Sequence, residues 1–389
     1  MTADLPWGNI ALAVLPWIAI PVVILWRARD TVSLAEYPAA PPHEAPLVSV
    51  IVPARNEARN IEACVRSILG TTWPRMEVIV VNDHSTDGTG EIARALAAKD
   101  ARVKVIDNPE LLARWFGKQW ACHNGAHVAK GAFILFTDAD TRHGPELLAR
   151  SMNAMHERHA DLFTVAGAQI METFWERLLQ PQVFGMLLAR FGGTERVSRS
   201  TNPYFKIANG QFILVRRTAY DRAGGHEAVR SHVAEDLRLA QEWTRLGYSV
   251  QMVAGFDEMS TRMYEGFGEI WRGWGKNVWA AGRDTMPAGP VVQAIFRVLA
   301  PLPPLWEVAP ALAMVLALAG LAPAAVGVWG AITYAIGTLF WIVVRRAFRA
   351  PTWYALLHPV AAGVVAAMLA RAAWRGSRVE WKGREYLSE

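Results

Sequence analysis

Apolar residues gather at the two ends of this chain and alternate with polar loops in between. Trp7 to Trp26 is a nearly unbroken apolar run with a tryptophan at each end. It is close to the roughly 20 residues a helix needs to cross a bilayer, and Pro16 and Pro21 are tolerable inside such a helix. In the middle of the chain the apolar runs are short. Val48 to Pro53, Glu77 to Val81, Val103 to Ile106 and Phe133 to Phe136 read as buried strands. Asn60 to Leu69 and Gly90 to Ala98 carry helical spacing, and Gly117-Lys118-Gln119-Trp120 leads into a helix expected over Ala121 to Ala129. Strands alternating with helices predict βαβ units and a mostly parallel sheet, the α/β class. Further on, Ala166 to Gln169 suggests a strand rim, and Phe174 to Phe191 a helix lying on a membrane or in a core. Asn209 to Val215 suggests another strand, Gly224-Gly225-His226 a turn, and Val233-Ala234-Glu235-Asp236 the start of a helix to about Leu246. Near the C-terminus, Val291 to Leu302 is amphipathic, and Leu305 to Ala322, Gly327 to Val344 and Trp353 to Ala370 are spanning candidates.

These patterns divide the chain into an anchor (1–30), a Pro-rich linker (31–46), an α/β domain (47–287), an interfacial segment (288–304), apolar helices (305–370) and a basic tail (371–389). Charge refines the picture. The formal net charge is +5, and much of the excess lies beside the apolar segments, where anionic headgroups would meet it. No basic stripe interleaved with aromatics is present, which argues against nucleic acid as a partner. Cys64 and Cys122 stand far apart without a paired motif, which excludes a disulfide scaffold and fits a reducing compartment. Arg27 and Arg29 after the first apolar run place the N-terminus outside and the α/β domain in the cytoplasm of a multi-pass inner-membrane protein. Arg345, Arg346 and Arg349 agree with that orientation. A third C-terminal span would carry Arg371, Arg375, Arg378, Lys382 and Arg384 outside, so Trp353 to Ala370 is expected not to span and the tail to stay cytoplasmic.

The strand ends carry the candidate chemistry. In open α/β sheets ligands sit beyond the carboxyl ends of strands, which brings the loops around Glu57, Asp83 and Asp138 to one rim. Asp138 and Asp140 follow the apolar run Phe133-Ile134-Leu135-Phe136. On strand parity, i and i+2 point the same way, so both carboxylates can reach one cation. Paired carboxylates repel unless a positive charge lies between them, and a hard divalent ion bridging to substrate phosphates meets that need. A solvated Asp-rich turn is the plain alternative.

Four motifs in order, Val50 to Glu57, Val81 to Thr89, Thr137-Asp138-Ala139-Asp140 and Ala234-Glu235-Asp236, resemble those of the family 2 glycosyltransferases with a GT-A fold. The resemblance covers roughly 47–287. It implies that Pro53, Ala54, Arg55, Glu57 and Asp83 line the nucleoside of a nucleotide-sugar donor, most simply a UDP-sugar. It implies that Asp138-Ala139-Asp140 is the DxD element holding Mg2+ or Mn2+ against the diphosphate, with Lys118 meeting a phosphate. Asn209, Gly210 and Gln211 are expected to line the sugar pocket, and Asp236 to be the general base of an inverting transfer. Glu235 belongs to the acceptor side or simply complements a helix N-terminus. The segment with Trp271, Arg272 and Trp274 stands where processive relatives carry a Q/RxxRW motif. Here Glu269 replaces the first residue and Gly273 separates Arg272 from Trp274. That departure disfavours a polysaccharide synthase. The Gly-Trp-Gly-Lys-Asn stretch is similar to hopanoid-associated and carotenoid glycosyltransferases, implying a lipid acceptor (a hopanoid, carotenoid, polyprenyl or other lipid) at the membrane. A catalytically inactive nucleotide-binding scaffold is the rival from another class; retention of Asp138, Asp140 and Asp236 argues against it.

Overall fold

The structure is a computed structural model and describes residues 7–286, 289–375, 378–381 and 384–387. The chain separates into two units. One comprises Thr31–Ile170, Gly193–Met263 and Ser377–Glu389, the other Met1–Asp30, Met171–Gly192 and Tyr264–Gly376.

The first unit is α/β. Its strands are β1 (Val48–Ala54), β2 (Met76–Asn82), β3 (Val103–Asp107), β4 (Phe133–Phe136), β5 (Thr141–His143), β6 (Leu162–Ala166), β7 (Ala168–Gln169), β8 (Ile213–Arg216), β9 (Val250–Ala254) and β10 (Met259–Thr261). Seven of them form one sheet in the order β3-β2-β1-β4-β8-β6-β9, and β5-β10-β7 form a small second sheet. In the large sheet β8 runs antiparallel to β4 and β6, and the remaining pairings are parallel. The sheet is therefore parallel-rich, as a GT-A arrangement requires. β1 and β2 are almost wholly apolar because both faces are covered. Val50, Val52, Val78 and Val80 pack with Ile61, Cys64 and Val65 of the helix Ile61–Leu69. Ile51, Ile79 and Val81 pack with Ala121 and Cys122 of the helix Gly117–Val128 on the other face.

Three features of this unit differ from the sequence expectation. The helix expected from Ala121 begins at Gly117, where the Trp120 N–H already reaches the Phe116 carbonyl at 3.0 Å, so Lys118 sits in its first turn. The strand expected from Asn209 begins at Ile213; Asn209 to Gln211 form a loop whose polar side chains bond back to neighbouring backbone and side chains. Asp138 and Asp140 lie past the end of β4, in a turn closed by the Thr141 N–H on the Asp138 carbonyl, so strand parity does not govern them.

The second unit is helical. Trp7–Ala28, Ala324–Ala347 and Thr352–Trp374 are each long and apolar enough to cross a membrane. The single span expected over Leu305 to Ala322 is instead two short helices, Leu302–Trp306 and Ala309–Leu318. The stretch Val291–Trp306 meets Ala309–Leu318 at a bend of 58°. Pro303, Pro304 and Pro310 remove backbone donors around the break. Glu307 sits at the break itself, where its Oε2 accepts from Gln182 Nε2 (3.1 Å) and Trp341 Nε1 (2.7 Å).

The helix Phe174–Phe191 runs unbroken through Pro181. Proline has no N–H, which leaves the carbonyl four residues earlier, that of Arg177, without its helical donor. Arg345 fills the gap: Nη1 donates to the Arg177 carbonyl at 2.7 Å and Nη2 to that of Leu178 at 3.2 Å. The Arg345 side chain is fully buried. Trp341 enters the same helix pair over Gly185, where a Cβ would stand 2.5 Å from the indole. In the expected tail, Arg378–Trp381 pairs antiparallel with Arg384–Leu387; residues 376–377, 382–383 and 388–389 of that tail, the domain boundary at 287–288 and the first six residues of the anchor lie outside the described residues.

Candidate active site

The carboxyl ends of β1, β2 and β4 open on one rim, and the loops that leave them are fastened to one another. After β1, Asn56 takes a left-handed backbone (φ 53°), and after β2 His84 does the same (φ 53°). Asn56 Oδ1 accepts the Thr86 N–H, the Asn56 N–H goes to Ser85 Oγ, and the Glu57 N–H goes to Thr89 Oγ1. Asp83 is buried; its Oδ1 accepts from Asn108 Nδ2 at 3.0 Å, and Arg55 Nη1 donates to its carbonyl at 2.8 Å. Arg55 is thus folded onto Asp83. Pro53 is half-buried and Ala54 buried, as is Ala139, whose side chain belongs to the core cluster.

The turn that carries Asp138 and Asp140 is pinned from below by Thr137. Its hydroxyl donates to the Gln211 carbonyl (2.8 Å), so it accepts from His143 Nε2 (2.9 Å). Burial pushes His143 down to about 3, which keeps it neutral with its proton on Nε2. Thr141 Oγ1 donates to the Asp138 carbonyl, and Thr261 Oγ1 to that of Asp140. The sequence shows Thr137 only as the first residue of its motif and does not point to His143 at all. They bear on the site only because β4, β5 and the loop before β8 meet, which no local pattern announces.

Charge is concentrated where three elements converge. Lys118 Nζ lies 2.7 Å from Asp138 Oδ1 and 2.8 Å from Glu235 Oε1. Burial works against the ammonium, but Asp138 and Glu235 outweigh it and hold the lysine well above its usual pKa. Asp138 is raised by burial, with Lys118 pulling the other way. Glu235 and Asp236 open the helix Glu235–Arg245, whose N-cap is Ala234. Asp236 Oδ1 accepts the Leu237 N–H at 2.7 Å and Oδ2 the Gly210 N–H at 2.9 Å. Burial and the like charge of Glu235 push Asp236 up to about 6. Gly210 packs closely here, since a Cβ would stand 3.1 Å from both Asp236 Oδ2 and Lys118 Nζ.

Lys118, Asp138, Gly210, Glu235 and Asp236 therefore form one group, and Glu57 is near enough to raise Asp138 further. Asn209 and Gln211 are turned to structural work: Asn209 Nδ2 donates to the Val165 carbonyl, and Gln211 Oε1 accepts from Gln169. Trp271, Arg272 and Trp274 belong to the helix Phe267–Asp284 of the helical unit. Trp274 is buried between Phe184 and Tyr264, Arg272 is exposed, and Arg371 lies over the Trp271 ring. Among the described residues no group of three His, Cys, Asp or Glu side chains converges as a self-sufficient metal site. The Asp138 carboxylate, to which an ammonium is already drawn, is an oxygen donor of the kind a hard divalent cation takes.

Residues 49–224 match the family model described as glycosyl transferase family 2. The chain is 28% identical over 245 residues to the 4,4'-diaponeurosporenoate glycosyltransferase of Staphylococcus haemolyticus, covering 62% of this chain and 63% of that protein. It is 29% identical, with the same coverage, to the enzyme of that name from Staphylococcus aureus. It thus spans less than two thirds of the length of these curated relatives. Among solved structures, a mannosyltransferase from Pyrobaculum calidifontis in complex with GDP-Man and Mn2+ superposes with a TM-score of 0.57 at 18% identity, over 94% of this chain and 99% of that one. At that identity the likeness is one of fold. The matched segment holds the rim of β1, β2 and β4 with Lys118 and both aspartates of the turn, and the likeness to glycosyl transferase family 2 rests on those residues.

Proposed function

We propose that this chain is a membrane-anchored glycosyltransferase that passes a sugar, with inversion, from a nucleotide donor to the hydroxyl of a lipid acceptor at the cytoplasmic face of the inner membrane. The observation that carries the reading is the meeting of Lys118 and Asp138, both within the matched segment 49–224, with Glu235 and Asp236 just beyond it. The loops with Glu57 and Asp83 offer carboxylate and backbone groups to the nucleoside of a UDP-sugar. Asp138 and Asp140 would hold Mg2+ or Mn2+, which when bound offsets the charge gathering on the departing diphosphate. Lys118 meets a phosphate as a point charge. Asp236, oriented by two backbone N–H groups, takes the proton of the acceptor hydroxyl as its oxygen attacks the anomeric carbon.

Three helices long and apolar enough to cross a membrane support the anchor. The name of the Staphylococcus relatives supports a carotenoid-type lipid as acceptor, with Trp271 and Arg272 facing it and Trp274 acting through packing. Holding enzyme and acceptor in one membrane replaces a search through solution by capture at high effective concentration.

The test is turnover of a nucleotide-sugar panel by purified protein with Mg2+ or Mn2+, with and without a membrane-lipid extract. The expected result is nucleoside diphosphate release stimulated by lipid, with labelled sugar moving into the organic phase. Label that stays aqueous would make the acceptor soluble or polymeric. Absence of turnover with every donor would favour a nucleotide-binding scaffold.

A further inference from the structure

A carboxylate in the first turn of a helix needs no explanation beyond the helix dipole, and Glu235 has been weighed in those terms. Its surroundings go further. The side chain is buried, and its Oε1 is spent on Lys118 at 2.8 Å. The same ammonium reaches Asp138 at 2.7 Å. Lys118 comes from the start of the helix Gly117–Val128, Asp138 from the turn after β4, and Glu235 from the start of the helix Glu235–Arg245. Three segments separated widely in sequence thus close on one nitrogen. Gly210 lies against that nitrogen, since a Cβ there would stand 3.1 Å from both Lys118 Nζ and Asp236 Oδ2.

A lysine is a point charge on a four-carbon stem, and fixing it in one place opposes its rotamer freedom. Of its two partners here, Asp138 is the one that a divalent cation held by a diphosphate would claim. Once Asp138 turns to that cation, Glu235 alone remains to keep the ammonium near the donor. We propose that Glu235 is a positioning residue, which holds Lys118 on the donor diphosphate through Asp138's change of partner and keeps a negative charge beside Asp236. The proposal rests on the glycosyltransferase reading above.

The test compares wild type with Glu235→Gln, Glu235→Asp and Lys118→Met in donor kinetics and pH profile. Glu235→Gln is expected to raise the donor KM roughly 10-fold, since loss of positioning weakens every donor-bound state. It is also expected to move the acid limb of kcat/KM to lower pH, because Asp236 loses a like charge next to it. Glu235→Asp keeps that charge on a shorter stem, so the acid limb should stay while the KM rises in part. Combining Lys118→Met with Glu235→Gln should add little to the KM of Lys118→Met alone, as residues acting in one unit do. A merely structural role would lower activity without moving the limb. Wild-type KM and acid limb in Glu235→Gln, or full additivity with Lys118→Met, would overturn the role of Glu235 alone. A wild type that transfers no sugar would overturn the glycosyltransferase reading itself.

Discussion

Two shielded cations, Arg345 in the helical unit and Lys118 in the α/β unit, are held in opposite ways. Arg345 gives its protons to two backbone carbonyls, one of them left open by Pro181. Those partners are fixed by the covalent chain and carry no net charge, and the Arg177 carbonyl has no helical donor of its own. Lys118 is half-buried and gives its protons to two carboxylates, one of which, Asp138, another cation can claim. The first arrangement makes a joint; the second makes a site. The same contrast separates Glu77, tied at once to Ser49, Lys104 and the backbone of Lys130, from Asp138, which shares one ammonium with Glu235.

Substitutions at the two places should therefore fail differently. The largest effect is expected at Asp236→Asn, which should lower transfer on the order of 10³-fold while leaving donor binding near wild type; turnover beside calorimetric titration with donor checks it. Near-normal turnover would remove Asp236 as the base. Arg345→Met should leave the Arg177 carbonyl without a donor and lower stability by about 2 kcal/mol, read as earlier thermal unfolding in detergent with unchanged kcat per folded molecule. A lowered kcat at unchanged stability would erase the distinction between joint and site. Gly210→Ala places a Cβ 3.1 Å from both Asp236 Oδ2 and Lys118 Nζ, and roughly 10-fold loss of kcat is expected with little change in melting. The mildest test is pH. Asp236 acts deprotonated and is held up to about 6, so kcat/KM should fall as pH drops through that value. About half the activity should be gone on going from about pH 8 to about pH 6, recovered on return.

Elements written locally were legible in the sequence, and those written by convergence were not. β1, β2 and β4 announce themselves as apolar runs ending in polar loops, and the helix Phe174–Phe191 was expected at those same residues. β9 escaped notice because Gln251 interrupts its apolar pattern at the sheet edge, where one side is less covered. The helix start at Gly117 has no side-chain cap to mark it. Most of the candidate site residues carried a motif, but their pairing did not: that Lys118 would bind Glu235 depends on elements whose meeting is settled only by the whole sheet. The broken helix around Glu307 shows the same limit, since hydropathy alone favoured one continuous span where prolines and a polar junction impose two pieces.

The Arg345 joint also has a bearing on the order of synthesis. Its two halves lie 168 residues apart in the chain. When Phe174–Phe191 leaves the ribosome, the open carbonyl at Arg177 has no internal donor, and it gains none until Arg345 has been made and brought alongside. In an apolar surrounding an unmet carbonyl is costly. The helix that carries Pro181 must then wait near water, or beside a temporary donor, while the rest of the sequence is translated. Pro181 thus makes the burial of an early segment conditional on a late one, so that a chain stopped short of its last quarter leaves a polar gap where the finished protein has none.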